Sequence, residues 1–382
     1  MLKKLEVLVD ATSWGAASPP AALIALNKTT RQVNVVQALI NTAQLTRPPK
    51  VTGFHLSDYW ACLRYLPALS NSSWLELCKD WDSVDPHQKT VMSDELGMGF
   101  SAQLVSEVFN CPEFVDTIYV MRVLHPGKFS LSSGNKRGPK KSPDFIAEDG
   151  SGNFVALECK GTQTSRKELL NALGRGAKQK KSLTAVAGTR ISHSLVAGLF
   201  IPQWSNVNRA CIHVADPTWS ELDTLLADTE AINIRKAIIQ IGLAKQLALA
   251  GFVELPNLLS NTGIEYFGEL TQRVRNEINQ YAHVKSQMMD ADGYRLAFDT
   301  AELRARTPGV IAQRQVRFFS KVTEDLLKIL RESETVEDIR GELVKRQRRR
   351  PLISEKDNGS SVGLNTMLGV EFRADVAESE GS

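Results

Sequence analysis

Two apolar runs separated by a short acidic, glycine-rich segment constrain this chain more tightly than anything else in it. Ser142-Pro143-Asp144-Phe145-Ile146 leads into Glu148-Asp149-Gly150-Ser151-Gly152-Asn153, and Phe154-Val155-Ala156-Leu157-Glu158-Cys159-Lys160-Gly161 follows at once. This pattern predicts two antiparallel strands joined by a hairpin loop. Side chains alternate faces along a strand, so Glu158 and Lys160 project from one face while Leu157 and Cys159 project from the other. Asp144, on the neighbouring strand, can face the same point. Two carboxylates and an ammonium converging there suit hydrolysis assisted by a divalent cation, with the carboxylates holding the ion and the ammonium steadying developing negative charge. The plainer alternative makes Glu158 and Lys160 exposed charges on an edge strand, a common guard against aggregation.

The surroundings extend the pattern. Residues 89–109 read as a helix, with Ser93 as its cap and Leu96, Phe100, Leu104, Val105 and Val108 at helical spacing. Residues 114–124 read as a strand. Beyond the hairpin, 165–186 reads as a second helix that opens with a capping box at Ser165 and Glu168. Residues 195–201 form a short apolar run ending at Pro202, as a buried strand would, and 211–215 add another.

Pro143-Asp144 followed by Glu158-Cys159-Lys160 resembles the PD-(D/E)xK nuclease superfamily, the restriction-endonuclease-like fold, and the order helix, three strands, helix, strand matches its αβββαβ core over residues 89–219. The resemblance implies that Asp144 and Glu158 bind Mg2+, for which Mn2+ can substitute, that the main-chain carbonyl of Cys159 adds a ligand, and that Lys160 assists attack of water on a phosphodiester. Members often place one more acid on the first helix. Glu95 and Glu107 are the candidates, and Glu95, just ahead of Gly97 and Gly99, is preferred because those small residues let the helix approach the sheet. Some members carry a Gln on the second helix, which points to Gln179, with Gln163 reaching in from the strand end.

Basic residues flank the motif on both sides. Lys136, Arg137, Lys140 and Lys141 precede Asp144, while Arg166, Lys167, Arg175 and Lys178 follow Lys160. This local clustering suits contact with a nucleic-acid backbone, most readily DNA, whereas the formal net charge of +3 alone implies nothing. Other chemistries lack their residues. Gly97-Met98-Gly99-Phe100-Ser101-Ala102 fits a dinucleotide fingerprint only on paper, because no strand precedes it. The five cysteines contain no C-x-x-C pair, which argues against zinc and for a reducing cytoplasm. The longest apolar stretch, 232–255, is interrupted by Arg235, Lys236, Gln240, Lys245 and Gln246, so no membrane partner is expected.

The chain of 382 residues is long for one typical domain. The expected class is α/β: an N-terminal accessory region over 1–88, the nuclease core over 89–219, a mainly helical domain over 220–353 and a polar, partly disordered tail over 354–382. Long charged segments at 267–288 and 313–331 read as amphipathic helices, fit for a bundle or for oligomerisation. The functional expectation is a metal-dependent DNA endonuclease, as in the nuclease subunit of a restriction or anti-phage system with a separate ATPase or sensor subunit. The rival is a nucleic-acid-binding or scaffold subunit that keeps the fold without turnover.

Overall fold

The computed structural model describes the chain except residues 15–17, 48–63, 112, 124–128, 132–141, 150, 181–182, 186–190, 217–227, 284–294, 300–313, 348–360, 366–367 and 379–382. In chain order its first part runs β1 (Leu2–Asp10), α1 (Ala21–Leu26), β2 (Thr29–Asn34), α2 (Val35–Thr46), α3 (Pro86–Phe109), β3 (Phe114–Asp116), α4 (Thr117–Val123) and β4 (Phe129–Leu131). It continues through β5 (Phe145–Glu148), β6 (Phe154–Thr162), α5 (Arg166–Lys180), β7 (Leu183–Ala185), β8 (Ile191–Phe200), β9 (Cys211–Ala215) and α6 (Asp228–Leu249).

The chain is mixed α/β, built on a seven-stranded sheet of order β2-β1-β9-β8-β6-β5-β3. The hairpin forms in the expected register: β5 and β6 are antiparallel, with Phe145 opposite Leu157 and Glu148 opposite Phe154. Its loop is fixed by Asp149, whose carboxylate accepts the backbone N–H groups of Ser151 and Asn153, and by Gly152 at a φ of 82° that favours glycine. On its other side β6 pairs in parallel with β8, joined to it through α5, and so lies in the interior of the sheet.

Several expectations need correction. The strand expected over 114–124 ends at Asp116, and α4 follows at once. Helix α3 starts earlier than expected: Asp85 caps it by accepting the N–H groups of His87 and Gln88, and Pro86 takes the first position. Ser93 lies inside that helix and donates to the Lys89 carbonyl instead of capping it. Strands β1 and β2, read as no strand at all from sequence, complete the same sheet, β1 running parallel to β9.

Helices cover both faces of the sheet. On one, Leu157, Cys159, Leu195 and Ala197 pack with Met92, Leu96 and Phe100 of α3. On the other, Ile146, Phe154 and Ala156 meet Ile234, Ala237 and Ile238 of α6, while Val196 and Phe200 meet Leu169 and Leu173 of α5. Each such Leu, Ile or Phe contributes about 1.5–3 kcal/mol by leaving water. Two glycines set how closely α3 lies on β6: a Cβ at Gly97 would strike the Lys160 carbonyl, and one at Gly161 would strike the Ser93 carbonyl. Gly99 instead admits α2, through Ala38 and Thr42.

The C-terminal part is less helical than expected. Its helices span Glu254–Asn261, Gln272–His283, Glu324–Glu332 and Val336–Gln347, but Arg314–Val322, within a stretch read as helix, is a strand. It joins Arg295–Asp299, Ser361–Asn365 and Val370–Glu378 in a four-stranded antiparallel sheet, so part of the stretch expected as a polar, partly disordered tail is strand. Among the described residues no helix is long and apolar enough to cross a membrane.

Candidate functional site

Strand β6 outruns β5, and the site is built on the edge this leaves. The last paired residue of β6 is Leu157, opposite Phe145 at the start of β5. Beyond it, the N–H of Cys159 has no strand to pair with and donates to Asp144 Oδ2 at 2.8 Å. Two residues on, the N–H of Gly161 points the same way, towards the Asp94 carboxylate of α3. Because a residue's N–H and C=O leave a strand on one side, the Cys159 carbonyl faces this edge too.

Glu158 and Lys160 project together from β6, as alternation requires, and their side chains meet Gly176 of α5, where a Cβ would lie 3.1 Å from Glu158 Cγ and 3.3 Å from Lys160 Cε. Lys160 Nζ donates to Glu158 Oε1. Glu158 is 0% exposed, and its Oε2, among the described residues, has no hydrogen-bond partner. The edge-strand alternative therefore fails, because β6 is interior and Glu158 is sealed from water.

The electrostatics follow from this crowding. Burial first, and then the Asp144 carboxylate, push the Glu158 pKa up to about 7 although Lys160 opposes the rise. Burial raises Asp144 as well, against the pull of the Cys159 N–H and Lys160, and Asp94 and Asp116 add to the rise. Asp94 is raised by burial, with Lys160 and the Gly161 N–H opposing. Burial alone would lower the Lys160 ammonium, but Glu158 and Asp144 outweigh it and hold it above the usual lysine value. Three carboxylates thus share one ammonium, leaving negative charge uncompensated. Cys159 is buried and its thiol is pushed well up by burial, so the residue serves through its main chain.

These donors suit a hard divalent cation. They are all oxygen, one buried carboxylate oxygen lacks a partner, and the excess negative charge calls for a cation. Among the described residues no three His, Cys, Asp or Glu side chains already form a metal cage. Magnesium is usually held by one or two carboxylates and keeps several waters, and Asp144, Glu158 and the Cys159 carbonyl are the groups that could hold it here.

The acid that α3 contributes is Asp94, which sequence reasoning passed over. Glu95 turns away and accepts a hydrogen bond from Tyr65 Oη at 2.5 Å, and Glu107 is paired with Arg31. Gln163 lies at the strand end but is engaged, donating to the Lys89 carbonyl at 2.6 Å and accepting from Gln203. Lys178 and Gln179 belong to the last turn of α5, and their side chains lie outside the described ones. Lys136, Arg137, Lys140 and Lys141 also lie outside the described residues. Of the remaining basic candidates, Arg166 pairs with Glu6 at 2.6 Å, Arg175 pairs with Glu168 at 2.8 Å while staying 63% exposed, and Lys167 is exposed.

Helix α6 supports the site from behind. Its buried Lys245 pairs with Asp116 at 2.5 Å, and Asp116 lies at the end of β3, opposite Phe145 and close enough to Asp144 to raise it. Next to this pair, Gln246 donates to buried Glu113, whose carboxyl is pushed up to about 8 by burial. In front, a cavity of about 630 Å³ opens beside the carboxylates, lined among others by Asp94, Gly161, Thr164, Arg175, Gln203 and Asn206. It touches the cluster along Asp94 and Gly161, and Asp144, Glu158 and Lys160 are not among its lining residues.

No family model matches this chain, and no curated protein or solved structure matches it significantly.

Proposed function

We propose that this chain is a divalent-metal-dependent nuclease of the restriction-endonuclease-like kind that hydrolyses phosphodiester bonds in DNA. The observation that carries the reading is the convergence of Asp144, Glu158 and Lys160 at the open edge of β6, with Glu158 Oε2 unpartnered. The element order α3, β3, β5, β6, α5, β8 supports the αβββαβ core, with α4 as an insertion and β9, β1 and β2 as additions to the sheet. Asp144 and Glu158 would hold Mg2+, or Mn2+ in its place, together with the Cys159 carbonyl. The bound cation supplies a more acidic water and neutralises the phosphate. Lys160 then releases Glu158, orients the attacking water and offsets the charge that builds on phosphorus. Asp94 stands at the same edge, beside the Gly161 N–H.

Plasmid cutting in magnesium by wild type beside Asp144→Ala, Glu158→Ala and Lys160→Ala tests this. Cutting by wild type that disappears in all three variants is the expected result, and undiminished cutting in all three would end the proposal. One observation favours a second reading, a nucleic-acid-binding subunit without turnover: Arg166 and Arg175 are both committed to carboxylates of this chain, and Glu158 is closed on Lys160. That reading predicts DNA binding that ignores both magnesium and Lys160→Ala.

A further inference from the structure

Asp144 stands one residue outside the ladder between β3 and β5, whose last pair is Asp116 opposite Phe145, so regular strand pairing does not fix it. Two contacts hold it instead. Its carboxylate takes the Cys159 N–H at 2.8 Å, and its main-chain carbonyl accepts the Thr117 N–H at 3.1 Å. Thr117 is where β3, at three residues the short limit for a strand and on the edge of its sheet, gives way to α4. The ladder alone offers little hold on that junction. Helix α6 supplies more. It reaches into both cores, through Ile234, Ala237 and Ile238 into one and through Leu243, Ala244 and Leu247 into the other. Lys245, 3% exposed, brings its ammonium to 2.5 Å from Asp116 Oδ2, with the Leu45 carbonyl of α2 at 3.4 Å. Burial disfavours this charge and Arg47 opposes it, while Asp116 and Glu113 draw it in. Stability is a poor reason to keep such a pair, because apolar side chains of similar volume in place of a buried ion pair are often neutral or stabilising. What the pair does do is fix Asp116, next to the N–H that holds Asp144.

We propose that Lys245 is a positioning residue of the candidate metal site, acting through Asp116 and the Thr117 N–H on the placement of Asp144. The inference rests on the reading of Asp144 as a metal ligand. Lys245 itself touches neither the cation nor the substrate. Its effect passes along a continuous line of contacts: the ammonium on the Asp116 carboxylate, the adjoining peptide N–H on the Asp144 carbonyl, and the Asp144 carboxylate on the Cys159 N–H. Magnesium demands near-ideal octahedral geometry, so a ligand left free to shift binds it poorly. Groups that orient ligands from behind accordingly matter by about 10- to 100-fold in metal affinity. The proposal also enlarges the functional unit. Helix α6 begins at Asp228, beyond the 89–219 core, so the metal site depends on a helix that this core does not contain.

The test is Mn2+ binding to the full-length chain without DNA, read from the electron paramagnetic resonance signal of the free ion, beside melting in EDTA. Lys245→Met and Asp116→Asn should each weaken Mn2+ binding about tenfold, and the double variant should bind no worse than either single one, because both act through one contact. Lys245→Met should melt close to wild type. Lys236→Met breaks the ion pair that the same helix makes with Glu337 and should leave the affinity unchanged. Wild-type affinity in Lys245→Met or in Asp116→Asn, additive losses in the double variant, or an equal loss in Lys236→Met would overturn the inference. Should Lys245→Met fail to fold, Asp116→Asn decides alone, since it breaks the same contact and keeps the lysine. Glu158→Ala separates this inference from the reading beneath it. Mn2+ lost in Glu158→Ala but retained in the Lys245 and Asp116 variants sinks the positioning role and leaves the nuclease reading standing, whereas a wild type that binds no Mn2+ sinks both. Weakened binding in the Lys245 and Asp116 variants without plasmid cutting by wild type upholds the positioning role and sinks catalysis.

Discussion

Glu158→Gln keeps the shape of the side chain, removes its charge and should act in opposite directions with and without metal. In the wild-type protein free of metal, the carboxyl is sealed from water and its pKa stands at about 7, against 4.5 ordinarily. A carboxyl raised in this way keeps its proton longer in the folded state. Its contribution to stability is therefore complete below about pH 4.5 and is lost as the pH climbs through 7, by at most about 3 kcal/mol. Glutamine has no proton to lose, and Lys160 still faces Asp144 and Asp94, so its ammonium keeps counter-charges. In EDTA at pH 8 the variant should therefore be more stable than wild type, by about 1–3 kcal/mol, and the gap should close by pH 5. Magnesium should reverse the order. A cation at a hundred times its Kd stabilises the protein that binds it by about 2.7 kcal/mol. With an unfolding entropy of about 2.1 cal/mol/K per residue over 382 residues, that raises Tm by about 3 °C in wild type and by much less in the variant. Scanning calorimetry of both proteins, in EDTA and in magnesium, at pH 5 and pH 8, reads all of this. An equal magnesium shift in the two proteins would refute Glu158 as a ligand, and a variant less stable than wild type at pH 8 in EDTA would refute the electrostatic reasoning.

Three further outcomes follow from the same geometry. Asp94→Asn should slow DNA cutting by about 10- to 100-fold, the usual effect of disturbing a group that positions ligands, while Glu95→Gln leaves the rate nearly unchanged; the opposite ranking would return the role to Glu95. Gly161→Ala drives a methyl group into the Ser93 carbonyl and should cost about 1–3 kcal/mol in urea denaturation, so an unchanged midpoint would mean that α3 does not lie on β6 as described. Glu113, raised to about 8 by burial, should make wild-type stability fall by up to about 1.4 kcal/mol per pH unit as the pH climbs from about 4.5 to 8, whereas Glu113→Gln escapes that decline; parallel stability curves would show that Glu113 is not buried as its acid.

The hairpin was legible because two signals agreed, a glycine-rich acidic turn and a period-two alternation that put Glu158 and Lys160 on one side. Asp94 was missed through a misreading of helical geometry, although the sequence held the clue. Gly97 marks the side of α3 that lies on β6, and positions three and four residues earlier, Asp94 and Ser93, share that side, whereas Glu95 is turned well away. The same glycine cited in favour of Glu95 in fact selects its neighbour. Residues 114–124 are mostly apolar, broken by Asp116, Thr117 and Arg122, and show no clean period to separate strand from helix, so pairing with β5 decides where β3 stops. Strand β1 alternates Lys3, Leu5, Val7 and Val9 with more exposed residues, but its place depends on β9, far along the chain, and no local pattern predicts that partner.

That placement has a consequence for how the molecule is made. Leu2–Asp10 leaves the ribosome about two hundred residues ahead of its parallel neighbour Cys211–Ala215, a wait of about 10 to 40 s at ordinary synthesis speeds. In that interval the strand has its hairpin mate Thr29–Asn34 on one side, and its other flank stays open to chaperones or to another unfinished copy. Truncations that stop short of Ala215 should consequently precipitate, whatever becomes of the catalytic hairpin they contain.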